Sequence, residues 1–256
     1  MSEIRAVFAA RSKHVKPKSF LKSALAATLV SIAVAANLTF TSTAAHALSV
    51  DASAAAFNFN ANSSGGNATL ISGTSNKVTG SIVKFSNVTG TSIPGVSIDA
   101  VVTTTLVSST ISVYDSPGSA SSNADYFQVD TGITGTNNYS QFKFDFYEGG
   151  TYTGANTGIP IVLRNVSVTS LDLDGQANCQ FTDFTAFQSY KLSNPTYLQV
   201  KTNANDANVP VGVTRFLATR CTNNDANIVD DAVQVQYDSV TSFTVKFGSN
   251  VAATTN

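Results

Sequence analysis

In the run Gln141–Tyr147, Phe142, Phe144 and Phe146 alternate with Gln141, Lys143 and Asp145. Only an extended chain puts residues two apart on one face, so this heptapeptide reads as a strand with an apolar side and a wet side. A helix would scatter the three rings around its axis. The same period-two signal, rich in Val, Ile, Thr, Phe and Tyr, returns at 80–88, 96–107, 110–114, 159–173, 197–201, 211–218, 233–237 and 242–247. Gly, Asn, Asp, Ser and Pro separate the runs, as turns require. No window of a dozen residues after position 47 keeps a helical period. Many short one-sided strands predict an all-β chain, folded as a single antiparallel β-sandwich of jelly-roll-like type.

The first 47 residues have a different character. Arg5, Arg11, Lys13, Lys16, Lys18 and Lys22 precede an apolar stretch from Ala24 to Phe40, and Ala45-His46-Ala47 follows with the small-x-small pattern of a cleavage site. This is the layout of an export signal peptide, with the mature chain starting at Leu48. An apolar stretch of 17 residues lies at the lower edge of a membrane span, so an uncleaved anchor is the alternative. Three regions follow: a signal peptide over 1–47, an Ala/Ser/Asn-rich segment over 48–76 expected to be an edge strand or mobile loop with Phe57 and Phe59 as anchors, and a sandwich domain over 77–256. The mature length suits one domain, burying roughly 70% of its unfolded surface.

Removing the leader changes the chemistry available. Nine basic and fifteen acidic residues remain, a net charge of −6, which argues against nucleic acid and anionic lipid as partners. His14 and His46 are the two histidines, and both leave with the leader. Catalysis by a Ser-His-Asp or Cys-His arrangement, and histidine-rich metal centres, are thereby excluded from the mature chain. Paired-carboxylate chemistry needs no imidazole, but Glu148 is the sole mature glutamate, and no nucleophile elbow, phosphate loop or dinucleotide fingerprint is present. No catalytic residue is assigned. Cys179 and Cys221, an even pair in an exported chain, are expected to form a disulfide; their separation rules out a C-x-x-C redox motif.

One constellation draws charges together. In Leu171-Asp172-Leu173-Asp174-Gly175, strand geometry directs both leucines inward and both carboxylates outward, just ahead of a glycine turn. Adjacent carboxylates repel unless a cation or donors offset them, and an all-oxygen Ca²⁺ site is a common solution outside cells. Asp183 on the returning strand would be the third ligand. The spacing is not that of an EF-hand, because Phe181 falls where the bidentate Glu belongs. A solvated strand face leading into an Asp-Gly hairpin turn is the simpler reading of the pair.

Taken in order, Val96–Val102, Tyr114-Asp115, Phe142–Tyr147, Asn165–Val168 and Asp172-Leu173-Asp174-Gly175 resemble exported bacterial β-sandwich modules of surface and adhesin-like proteins. The resemblance spans about residues 80–247 and implies the sandwich fold and a place at the cell surface. Such modules often have a Glu shortly after the Asp-x-Asp-Gly turn; here Cys179 and Gln180 stand there, a departure from the calcium-binding pattern. The expected function is a non-enzymatic, secreted or cell-surface structural or adhesive protein acting through its surface, with uncapped strand edges available for pairing. The alternative is a carbohydrate-binding module using Tyr147, Tyr152, Tyr190 and Tyr197 as platforms, with Ca²⁺ as the one cofactor to consider. Partners are accordingly an envelope or extracellular protein, a second copy, or a glycan, with no membrane span in the mature chain.

Overall fold

The computed structural model describes residues 2–8, 48–53, 55, 57–61, 66–115, 127–133, 135–155, 157–171, 173, 178–221 and 229–251. Its strands are β1 (Ser2–Phe8), β2 (Ser49–Asp51), β3 (Ala68–Ser72), β4 (Ile82–Phe85), β5 (Ile98–Val107), β6 (Ser109–Tyr114), β7 (Phe127–Ile133) and β8 (Asn138–Glu148). They continue with β9 (Val162–Leu171), β10 (Asn178–Thr185), β11 (Ser189–Leu192), β12 (Leu198–Thr202), β13 (Val213–Ala218), β14 (Val233–Val240) and β15 (Ser242–Val251). All lie in one compact unit of the chain, and the other unit, Ser12–His46, falls outside the described residues.

The strands form two sheets. One runs β11-β14-β9-β1-β7-β6, with β2 added to β9; the other runs β12-β13-β10-β15-β8-β5-β4-β3. Every pairing between named strands is antiparallel except β2 with β9. The protein is an all-β sandwich. Alternation builds its interior: Phe142, Phe144 and Phe146 of β8, and Phe243, Val245 and Phe247 of β15, all point inward and are buried.

Phe127 of β7 ties the opposing sheet to this face. Its ring lies 5.2 Å from Phe142 and 5.1 Å from Phe144, and also meets Phe59, Phe85 and Tyr114 edge-on. Edge-to-face contacts of this kind contribute beyond area burial. Phe57 and Phe59, from the segment after β2, are buried in the same cluster. That cluster reaches Tyr114, and at Asp115 the chain takes a positive φ of 50°.

The Asp115 carboxylate accepts bonds from the Ala61 and Gln128 amides at 2.7 and 3.2 Å, joining the Phe57–Phe59 segment to β7. Burial pushes its pKa up to about 8, against the pull of those two N–H donors. An unfolded Asp titrates near ~3.9, so the folded state holds this proton more tightly. Stability should fall as pH rises from about 4 to about 8 and level off above that range. In Asp115→Asn the denaturation midpoint, followed by circular dichroism, should change less between pH 5 and 8 than in the parent.

Leu171 and Leu173 do not both point inward: Val166, Val168 and Ser170 carry the core phase of β9, leaving Leu171 half-buried while Leu173 is buried beyond the strand end. The phase is set at Asn165, whose positive φ of 58° breaks the alternation, so that Leu163 and Val166 both face the interior.

Candidate interaction surface

The outer face of the larger sheet carries an ordered row. Lys201, Arg215, Asp183, Lys246 and Gln141 stand side by side on β12, β13, β10, β15 and β8. Cross-strand register brings them together from positions far apart in sequence. Arg215 donates to Asp183 twice, Nε to Oδ1 at 2.8 Å and Nη2 to Oδ2 at 3.0 Å, with Lys246 Nζ 3.8 Å away. The guanidinium lies 3.6 Å above the Phe181 ring. That ring is pressed against Gly248, where a Cβ would collide with it. Asp183 and Arg215 are only 3% and 5% exposed, so this is a buried ion pair in a two-toothed geometry.

Asp183, the third proposed calcium ligand, thus has its charge met by the protein's own cations. Asp172 and Asp174 lie outside the described residues. Among the described residues no three His, Cys, Asp or Glu side chains are grouped to hold a metal ion.

Further along the same face, Asp99 accepts from the amides of Asn87 and Gly150 at 3.0 and 2.9 Å, and Lys84 lies 4.0 Å from it. Asp99 therefore anchors two loops. The rings of Tyr147 and Tyr152 meet each other at 4.8 Å beside this cluster. Burial, with Asp145 nearby, raises both phenol pKa values. Tyr190 is exposed but packs edge-on against Phe216. Tyr197 carries the Arg220 guanidinium 3.8 Å over its ring, and Arg220 is held by Asp231 at 2.7 Å. The four tyrosines do not converge: two lie tilted against each other, and one has a face covered.

Close to Arg220, Cys221 is joined to Cys179 at the start of β10 by a disulfide. A closed loop of 42 residues restricts the unfolded chain and stabilises the fold by about 3–4 kcal/mol on the chain-entropy account. The double variant Cys179→Ala/Cys221→Ala should lose that amount in denaturant titration. Reducing agent should lower the parent's melting temperature and leave the variant's unchanged.

The four outer strands carry devices against pairing, which corrects the expectation of uncapped edges. Lys77 reaches from a neighbouring turn and donates to the Ser112 carbonyl of β6 at 2.6 Å. On β12, Asn205 takes two backbone groups of the free side: Thr202 N–H donates to its Oδ1 at 2.7 Å, and its Nδ2 donates to the Val200 carbonyl at 3.3 Å. The register of β3 slips between Leu70 and Ser72, and β11 is four residues long. Lysines, irregular registers and short strands are the means by which sandwiches keep their edges from recruiting other chains. Sequence gives no sign of these capping roles, because the backbone group that Lys77 meets lies 35 residues away on a strand brought near only by folding.

No protein-family profile matches the chain, and no curated protein matches it. A search of solved structures finds a likeness to the N-terminal domain of the Streptococcus gordonii adhesin Sgo0707, with 14% identity and a TM-score of 0.33. It covers 81% of this chain and 64% of that one, so the chain spans slightly under two thirds of the structure it matches.

Proposed function

We propose that the protein is a non-catalytic structural or adhesive module of the cell exterior, working through its faces and through contacts with other polypeptides. The observation that carries this reading is the scaffold itself: a disulfide-linked sandwich whose outer edges are closed by Lys77, Asn205, a slipped register and a short strand. Closed edges suit a domain that must stand beside many copies or partners without fusing to them. The disulfide supports an oxidising compartment, in keeping with the basic and apolar leader. Loss of both histidines with the leader leaves the processed chain without the side chain most used for proton transfer at neutral pH.

A glycan-binding role is less favoured, because Tyr147 and Tyr152 occupy each other and Arg220 covers Tyr197. The test is localisation joined to loss of function. Surface biotinylation of intact cells should label the protein, and cells lacking its gene should lose adhesion or surface integrity that the parent gene restores. Confinement to the cytosol, or turnover of a substrate by the purified protein, would overturn the reading.

A further inference from the structure

Strand β1 lies inside a sheet yet belongs to the segment with the signature of a leader. It pairs with β7 from Ser2↔Thr131 to Ala6↔Phe127, and with β9 from Arg5↔Leu171 to Phe8↔Val168, antiparallel to both. β7 and β9 therefore run parallel to each other, and each lends β1 one edge. Export with cleavage changes this. An export signal peptidase adds water across the Ala47–Leu48 peptide bond, giving an Ala47 carboxylate and a Leu48 ammonium, and the basic start of the leader is left on the far side of the membrane.

The processed domain then has a slot one strand wide, about 9–10 Å between the backbones of β7 and β9 at the usual spacing of neighbouring strands. Both walls present unpaired N–H and C=O groups, which are costly to leave unmatched in a protein interior. The slot does not close easily. Phe127 fixes β7 through five ring contacts, while β9 is held along its other edge by β14 from Leu163 to Ser170. The outer edges carry devices against added strands; along Phe127–Thr131 and Val168–Leu171 the described partner of this interior pair of edges is β1.

We propose that in the processed protein the N-terminal arm of a second copy, Leu48–Ser53, enters this slot as the missing strand. The idea rests on the reading of the protein as an exported surface module. Cleavage frees this arm in the same step that opens the slot. Its Leu48, Val50 and Ala52 alternate with Ser49, Asp51 and Ser53, matching the spacing of Ile4, Ala6 and Phe8, which stand in register with the core residues Val129, Phe127 and Val168. Within its own chain the arm already pairs with the same edge of β9, but only over Ser49–Asp51, in parallel, and at Val162–Arg164. In its own chain the arm is held in that parallel sense by backbone bonds at both ends, Val162 N–H to the Leu48 carbonyl and Ala52 N–H to the Arg164 carbonyl, each 2.9 Å, whereas a neighbour's arm can approach antiparallel to Val168–Leu171. Each copy then gives one strand and receives one, a head-to-tail contact that builds an open chain of subunits.

The full chain is expressed with its leader, and the exported product is characterised by mass spectrometry, light scattering after gel filtration, and thermal melting. The expected product begins at Leu48 and shows masses at whole-number multiples of the subunit. Excess synthetic peptide Ser-Glu-Ile-Arg-Ala-Val-Phe should cap the slot, convert the ladder to single subunits, and raise the melting midpoint by roughly 5–10 °C at a hundredfold excess over its Kd. The same peptide with proline in place of alanine should do neither, because it lacks an N–H and clashes in a central strand. A Ser49→Pro chain, shown to be folded by its response to the capping peptide, should stay a single subunit. A single-subunit parent that ignores the peptide, an exported product that keeps residues 2–8, or a ladder that persists in Ser49→Pro overturns the inference. The surface reading survives those three results, since it depends on localisation instead.

Discussion

Phe127→Ala will destabilise the protein by about 3–5 kcal/mol, the range for removing a fully buried phenylalanine ring, and lower its melting temperature by roughly 10 °C for a domain of this size. The ring is fully buried and touches five others. Three of these, Phe85, Phe142 and Phe144, belong to the opposite sheet, and Phe59 comes from the segment after β2. Its removal therefore opens a cavity where three layers of the core meet, at a point where strands on both sides are locked into ladders and relax little. Phe127→Leu keeps most of the volume and should cost about 1–2 kcal/mol. Denaturant titration followed by circular dichroism separates the two. A loss below about 1 kcal/mol in the alanine variant would mean that the sheets are not joined through this ring.

How much of this was readable beforehand depends on whether one face of a strand is wet. β8 and β15 alternate cleanly because Lys143, Asp145, Thr244 and Lys246 look outward while phenylalanines look inward, and both strands were legible. β10 is foreseen only as the strand returning past Asp183, with no bounds of its own. Phe181 and Phe184 are three apart, and both faces of the strand are buried, one by the core and the other by Arg215, so the period of two disappears. β7 was missed because its inward positions run Phe127, Val129, Thr131, fading toward the polar residues that surround it. β1 could not be recognised, since Arg5 and the basic residues that follow it, ahead of an apolar stretch, carry the stronger signal of a leader. The candidate site was less legible than the fold. Asp183 was singled out for its carboxylate, but its partner lies 32 residues away and is fixed by the β10–β13 register, which only folding determines.

Arg215→Met will destabilise the protein by about 3–5 kcal/mol, because it strands the Asp183 carboxylate in a site where water cannot replace the lost donors. Loss of the guanidinium from above Phe181 adds to the effect. Lys246, 3.8 Å from the carboxylate, offsets part of it, so Arg215→Met/Lys246→Met should be worse than the sum of the two single changes. Asp183→Leu/Arg215→Met removes both charges and should recover most of the stability, since a buried ion pair replaced by apolar side chains of similar volume is commonly tolerated. That recovery separates two explanations of the row on the outer face. If the double variant is as unstable as Arg215→Met, packing of the arginine stem and its cover over Phe181 hold the face together. If stability returns, the pair contributes little net stability and the face is kept polar for another reason: an outward apolar surface across five adjoining strands would invite the association that the closed edges prevent. Light scattering with the capping peptide added to both samples decides this, with self-association expected of the double variant and not of the parent.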